Sequence, residues 1–223
     1  MTRDLALVCG AGGTLGQAVV AEFSRRGDRV IAVGRRDAGD RPDGVRLELA
    51  DLTVPAEVDA LWARLADRGE RPRWVVNTAG GYAAGAVVDT DDALYRHMHD
   101  LNLATAFWSS HAAARALEPG GAIANIGSRS ALVGGAGAAA YAIAKAGVVR
   151  MTEVLADELK PRRIRVNAIL PSVLDTPANR AALGSQRMGD SVPPSEVAAV
   201  ICFLCSDGAR AITGAAIPVY GWA

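Results

Sequence analysis

Tyr141 and Lys145 stand four residues apart in Tyr141-Ala142-Ile143-Ala144-Lys145, within a pattern that predicts a helix over about 138–159. At that spacing both side chains project from one helix face. A free phenol titrates near 10, and a fixed ammonium beside it favours the phenolate. The expectation is a Tyr141 pKa lowered into the range where protons exchange near neutral pH, which is general acid or base chemistry. Read alone, the spacing also describes a plain surface pair on an amphipathic helix.

A second set of residues suits phosphate. Leu5 to Cys9, an apolar run that predicts a strand, passes directly into Gly10-Ala11-Gly12-Gly13-Thr14-Leu15-Gly16, and a helical pattern follows. A dinucleotide pyrophosphate requires this order: glycine lets the backbone approach, and the helix start supplies free N–H groups and partial positive charge. A tight strand-to-helix turn without ligand is the plainer reading of the same residues. After the next strand, Arg29 to Val33, comes Gly34-Arg35-Arg36, where an NAD site usually places a carboxylate for the ribose hydroxyls. Two guanidinium groups there pair with a 2′-phosphate through bidentate contacts, so NADP(H) is the expected cofactor, NAD(H) the alternative, and a solvated charged turn the bland reading.

Such groups need a scaffold that carries them to one edge. Short apolar runs at 5–9, 29–33, 45–49, 73–77, 122–126, 164–169 and 216–219 alternate with helical patterns at 15–26, 55–68, 92–117, 138–159 and 195–205. Strands too apolar to have a wet face, alternating with helices, imply a parallel sheet covered on both sides. The fold class is therefore α/β: one doubly wound, Rossmann-type parallel sheet of about seven strands with helices on both faces. Residues 1–223 read as a single domain, since the glycine-rich stretches at 39–44 and 80–85 are only surface loops.

Composition bounds the function classes. Lys plus Arg and Asp plus Glu are 24 each, so no global field draws in nucleic acid or a membrane surface, and neither is an expected partner. No apolar stretch reaches the length of a membrane helix. Three cysteines and no secretory leader argue against a disulfide framework and for a cytoplasmic setting. Cys202 and Cys205 fall in an apolar helical run and read as core rather than as metal ligands. His97, His99 and His111 have no matching acidic or cysteine cluster, so no metal site is expected.

Taken in order, the glycine turn, Asn77-Thr78-Ala79-Gly80, Asn102, Ser128, Tyr141 with Lys145, and Val166-Asn167-Ala168-Ile169-Leu170-Pro171-Ser172-Val173 resemble the short-chain dehydrogenase/reductase family over nearly the full length. The resemblance implies roles for four catalytic residues. Tyr141 would be the general acid in reduction or base in oxidation, and Ser128 would hydrogen-bond the substrate oxygen. Lys145 would lower the Tyr141 pKa and bind ribose hydroxyls, and Asn102 would steady a water that relays protons to Lys145. For the cofactor, Gly10, Gly12, Gly13, Thr14, Leu15 and Gly16 would form the turn, with Arg35 and Arg36 at the 2′-phosphate. Asp51 and Leu52 would contact adenine. Asn77, Ala79 and Gly80 would line the groove, and Pro171, Val173 and Thr176 would border the carboxamide and phosphate region. Ser130 competes with Ser128, which is preferred because it stands thirteen residues before Tyr141.

The variant turn, with Cys9 and Thr14, and the run Leu174-Asp175-Thr176-Pro177-Ala178-Asn179-Arg180 are similar to the dihydropteridine-reductase branch. A short substrate lid is expected near 177–192, where Asn179, Arg180 and Arg187, together with Arg129 beside Ser128, either suit an anionic substrate or, as exposed arginines usually do, simply face solvent. The function expected is reduction of a small carbonyl compound, or oxidation of the alcohol, by hydride transfer. The alternatives are reduction of a quinonoid or pteridine-like ring and a non-catalytic dinucleotide sensor. The resemblance further implies pairing of the two long helices between subunits in a homodimer or homotetramer.

Overall fold

The computed structural model describes residues 4–37, 39, 41–183 and 188–222. Seven strands run parallel in one sheet of order β3-β2-β1-β4-β5-β6-β7. They are β1 (Leu5–Cys9), β2 (Arg29–Gly34), β3 (Arg46–Leu49), β4 (Trp74–Asn77), β5 (Ala122–Ile126), β6 (Arg165–Pro171) and β7 (Ala216–Val219). The helices are α1 (Thr14–Arg25), α2 (Pro55–Asp67), α3 (Asp92–His99), α4 (Thr105–Ala116), α5 (Ala139–Leu159), α6 (Pro177–Leu183) and α7 (Pro194–Cys205).

Side chains alternate across each strand, and both faces are dry. In β1, Ala6 and Val8 pack with Val19 and Phe23 of α1 and Ile201 and Cys202 of α7. Leu5, Leu7 and Cys9 point the other way, into a layer built from Leu61 and Leu65 of α2, Ala113 of α4 and Leu159 of α5. Cys202 and Cys205 are buried free thiols within the first layer. Phe23 stacks on Trp74 with ring centroids 5.5 Å apart, locking α1 onto β4.

β1 pairs with β2 on one side and β4 on the other, so successive crossovers turn in opposite directions there. The loops beyond the carboxyl ends of β1 and β4 consequently part and leave a crevice, the general ligand position of open α/β sheets. A buried polar chain lies under its rim. Asn77 donates to Ser110 Oγ (2.9 Å) and Asn125 Oδ1 (2.8 Å), Ser110 donates to Asn125 Oδ1, and Asn125 donates to Thr152 Oγ1 at 3.0 Å. These bonds tie β4 and β5 to α4 and α5, fixing the strand ends that carry the site.

Two elements differ from the sequence reading. The expected single helix over 92–117 is interrupted by a π-helical turn, Asp100–Ala104, between α3 and α4. The expected lid begins as a helix, α6, closed at its base by a bridge between Leu174 and Val192. Residues 184–187 of that lid, Arg187 among them, lie outside the described residues.

Candidate active site

The crevice encloses about 550 Å³, within the usual range for small-molecule sites. Gly10, Gly12 and Gly13 form one wall, Ala79 and Gly80 another, and Arg35, Arg36, Asp51 and Leu52 the far end. Gly10 and Ala11 both donate to the Val33 carbonyl at 2.9 Å, folding the turn sharply over β2. Gly10 has φ +88°, and a Cβ there would stand 2.3 Å from the Ala79 amide nitrogen. At Gly16 a Cβ would fall 2.4 Å from the Gly10 carbonyl oxygen, so this residue lets α1 close against the turn. Gly13 precedes α1 and offers no side-chain cap, which leaves the first N–H groups of the helix available to an anion.

At the far end no hydrogen bond or ion pair engages Arg35 or Arg36 among the described residues. The two arginines stand where an NAD site would place a carboxylate, but an acid does follow β2, because Asp37, one residue beyond Arg36, also lines the crevice. Its carboxylate accepts from Arg41 (2.5 Å) and from the Gly39 amide (3.0 Å), and Arg41 first of all holds its pKa below the usual range. Asp51 accepts from the hydroxyl and amide of Thr53, which keep it ionised in the same way. Thr53, Thr78, Leu101 and Thr105 line the crevice as well, unmarked in the sequence except that Thr78 sits inside the Asn77–Gly80 run.

The reactive cluster stands at the carboxyl end of β5. Lys145 is 4% exposed, and its ammonium donates to the Ile126 carbonyl, the last of that strand, at 2.8 Å. Its nitrogen lies 5.9 Å from the Tyr141 ring centroid, on the face that the spacing of four predicts. Ser128 follows two residues after Ile126 and accepts from the Ser130 amide at 3.2 Å, so the competing serine supports Ser128 through its backbone. Asn102 is fully buried in the π-helical turn, donating to the Met98 carbonyl (3.1 Å) and accepting from the Gly81 amide (3.1 Å). Such turns recur where a helix must re-aim a functional side chain. A Cβ on Gly80 would lie 2.8 Å from Asn102 Oδ1 and 3.3 Å from the Lys145 nitrogen, so the glycine lets these two groups converge. Tyr82, not anticipated, sets its ring edge-on to Tyr141 with centroids 5.1 Å apart.

Protonation differs from expectation. Burial raises the Tyr141 pKa above that of a free phenol, Ser128 acts against the rise, and Tyr82 adds to it. Burial also pushes Lys145 down to about 8. Desolvation favours the neutral form of each group and is the largest cause of both shifts, so the Tyr141 pKa is raised rather than lowered.

The remaining expected site residues are not among those lining the crevice. Asn77 is directed into the buried polar chain rather than the crevice. Thr14, Leu15 and Gly16 form the first turn of α1, Leu15 and Gly16 being buried. Pro171 ends β6, Val173 accepts from the Val192 amide at 2.8 Å, and Thr176 accepts from the Asn179 amide at 3.1 Å at the start of α6. Among the described residues no group of three or more His, Cys, Asp or Glu is arranged to hold a metal, and no helix is long and apolar enough to cross a membrane.

Comparison with known proteins extends these observations. Residues 10–221 match the sequence family described as Enoyl-(Acyl carrier protein) reductase. The chain is 33% identical to galactitol 2-dehydrogenase of Rhizobium johnstonii, covering 97% of this chain and 93% of that protein. It is 34% identical to the 3-oxoacyl-(acyl-carrier-protein) reductase of Pseudomonas aeruginosa, covering 97% and 96%. The ligand-free structure of Thermoplasma acidophilum aldohexose dehydrogenase superimposes with a TM-score of 0.90 at 26% identity, over 98% of this chain and 93% of that one.

The buried ammonium makes stability depend on pH in a defined sense. Lys145 has a folded pKa of about 8, whereas an unfolded lysine titrates near ~10.4. Between those values the unfolded chain binds more protons, so this group makes the fold more stable as pH rises. Cys9 and Cys205, pushed up to about 11 and about 12 by burial, work in the opposite sense above roughly pH 8.5. Comparison with Lys145→Met isolates the lysine. Unfolding free energies from urea denaturation, wild type minus variant, are expected to increase from pH 8 towards 10, and a difference that stays flat would contradict the assignment.

Proposed function

Because the chain belongs to the short-chain dehydrogenase/reductase family, we propose that this oxidoreductase uses NADP(H) to reduce a small carbonyl compound, or to oxidise the alcohol, with Tyr141 as general acid or base. The observation that carries the reading is the convergence of Tyr141, Lys145, Ser128 and Asn102 at the carboxyl end of β5, next to a glycine-walled crevice.

The crevice fits the cofactor by its chemistry. Gly10, Gly12 and Gly13 with the start of α1 would hold the pyrophosphate, and Asp51 and Leu52 the adenine end. Arg35 and Arg36 would take the 2′-phosphate. Asp37 is the feature of opposite sign, and Arg41 already engages its charge. The nicotinamide, when bound, supplies or accepts the hydride.

The protein's own residues handle the oxygen and its proton. In reduction, the Ser128 hydroxyl and the Tyr141 phenol donate hydrogen bonds to the substrate carbonyl oxygen. A phenol kept neutral by burial is in the right state to act as an acid. As hydride reaches the carbonyl carbon, Tyr141 gives its proton to the oxygen and becomes a phenolate. Lys145, with its pKa about 8, is largely protonated at neutral pH and stabilises that anion. Asn102 holds the Gly80–Gly81 turn beside Lys145 and steadies the water through which the proton is replaced. Exposed Phe107 on α4 and Ile143 and Val154 on α5 support a homo-oligomer formed through these helices.

Two variants test the reading. Tyr141→Phe is expected to retain NADPH binding while carbonyl turnover, followed by NADPH absorbance, falls by about a hundredfold or more; unchanged turnover would remove Tyr141 from the mechanism. Arg35→Ala should raise the Kd for NADPH by about tenfold or more while leaving NADH little changed, and equal effects on the two would count against a 2′-phosphate site.

A further inference from the structure

The sequence offers four polar side chains to a charged substrate, namely Arg129, Asn179, Arg180 and Arg187, and the structure distinguishes the three that it describes. Arg180 is bound to both carboxylate oxygens of Asp175, at 2.5 and 2.6 Å. Asn179 donates to the Leu174 carbonyl at 2.8 Å and so braces the lid. Arg187 lies outside the described residues. Arg129 differs from the others: it is partly buried, and no acid or hydrogen-bond acceptor among the described residues engages its guanidinium.

Arg129 has a defined resting place. Its guanidinium carbon lies 5.2 Å from the centre of the Tyr220 ring. Tyr220 is itself anchored, since Ser172 just beyond β6 donates to its backbone carbonyl at 2.9 Å. An aromatic face attracts the cation while leaving the planar N–H fork unpaired. Arg129 also follows Ser128 directly, so the two Cα atoms are about 3.8 Å apart just beyond the carboxyl end of β5. A partly desolvated guanidinium with no anion of its own, next to the serine that would hold the carbonyl oxygen, has its donors available to a ligand.

We propose that Arg129 is a specificity-determining residue, and that the substrate is a carbonyl compound with an anionic group, a carboxylate or a phosphate, a few bonds from its carbonyl carbon. This rests on the oxidoreductase reading given above and names its substrate class. The chemistry balances without further reactants. The carbonyl carbon would gain a hydride, the chemistry a bound nicotinamide supplies, Tyr141 would give the proton to the oxygen, and the anionic group would remain unchanged on Arg129. Tyr220 acts as a positioning residue that keeps the guanidinium turned flat beside the site.

The test compares matched substrates. Short 2-oxo and 3-oxo acids, their methyl esters, an oxo phosphate and simple neutral ketones are assayed with NADPH. The wild type is expected to show a higher kcat/KM for an anionic compound than for its neutral counterpart, with the acid and phosphate arms identifying which anion is used. Arg129→Gln should lower that acid-to-ester ratio by about tenfold to a hundredfold, mainly through KM, with Arg129→Lys intermediate. Tyr220→Leu, which keeps the charge but removes the ring, should lower the ratio by a smaller factor and covers the case of an Arg129 variant that does not fold. Equal use of acid and ester by the wild type would overturn the proposal. So would a ratio unaltered in Arg129→Gln, the result expected if this arginine only pins the C-terminal tail. Turnover of neutral ketones without preference for anions removes this inference alone, whereas no turnover with any carbonyl compound removes the oxidoreductase reading beneath it.

Discussion

An ammonium group withdrawn from water with no carboxylate to pair it is expensive, and a protein keeps one only where surrounding structure compels it. Lys145 is such a group. Among the described residues, its recorded hydrogen bond is to the backbone carbonyl of Ile126. Much of the local architecture is arranged around it. β5 ends where that carbonyl can face the amine, α5 starts close enough for Tyr141 to share its face, and residue 80 has no side chain to separate the amine from Asn102. The buried Asn77, Ser110, Asn125 and Thr152 then hold β4 and β5 against α4 and α5, so the pieces cannot drift apart independently.

The same burial sets the chemical character of the site. Dry surroundings raise the phenol and lower the amine, leaving Tyr141 a competent acid and Lys145 a cation close to losing its proton. In the proposed reduction both groups would act in the states that neutral pH provides, because the charge appearing on Tyr141 would meet one already placed near it. At the other end of the crevice the logic is one of unpaired charge. Arg35 and Arg36 border the cavity with no hydrogen bond or ion pair among the described residues, whereas Asp37 and Asp51 are already engaged by Arg41 and Thr53.

Most of the framework was legible in the sequence because it rests on repeating physical patterns. Apolar strands alternating with helices required a doubly wound sheet, and the glycines after β1 required a sharp turn at a helix start. Gly10 with its positive φ and Gly16 packed on the turn supply the reason for those glycines. That Tyr141 and Lys145 share a helix face followed from their spacing, whereas their roles were implied by the family resemblance. Features set by tertiary contact were not legible. The π-helical turn around Asn102 has no marker in composition, since Asp100 to Ala104 fits an ordinary helix. Asn77 turned into the core because Ser110 and Asn125 meet it there, from 33 and 48 residues further along the chain. The direction of the Tyr141 shift is not legible in the sequence, because spacing reveals a neighbouring charge but not how dry the pocket is. Asp37 carries no marker in the sequence, because it stands one residue beyond Arg36 and reaches the crevice only through the turn after β2.

The central claim is that carbonyl reduction requires a protonated Tyr141 supported by a protonated Lys145. The pH profile of kcat/KM tests it most directly, since it reports groups titrating in the free enzyme. With the Lys145 pKa at about 8, reduction is expected to proceed steadily through neutral pH and to decline as pH rises through that value. A profile that remains level from pH 7 to beyond 10 would contradict the account.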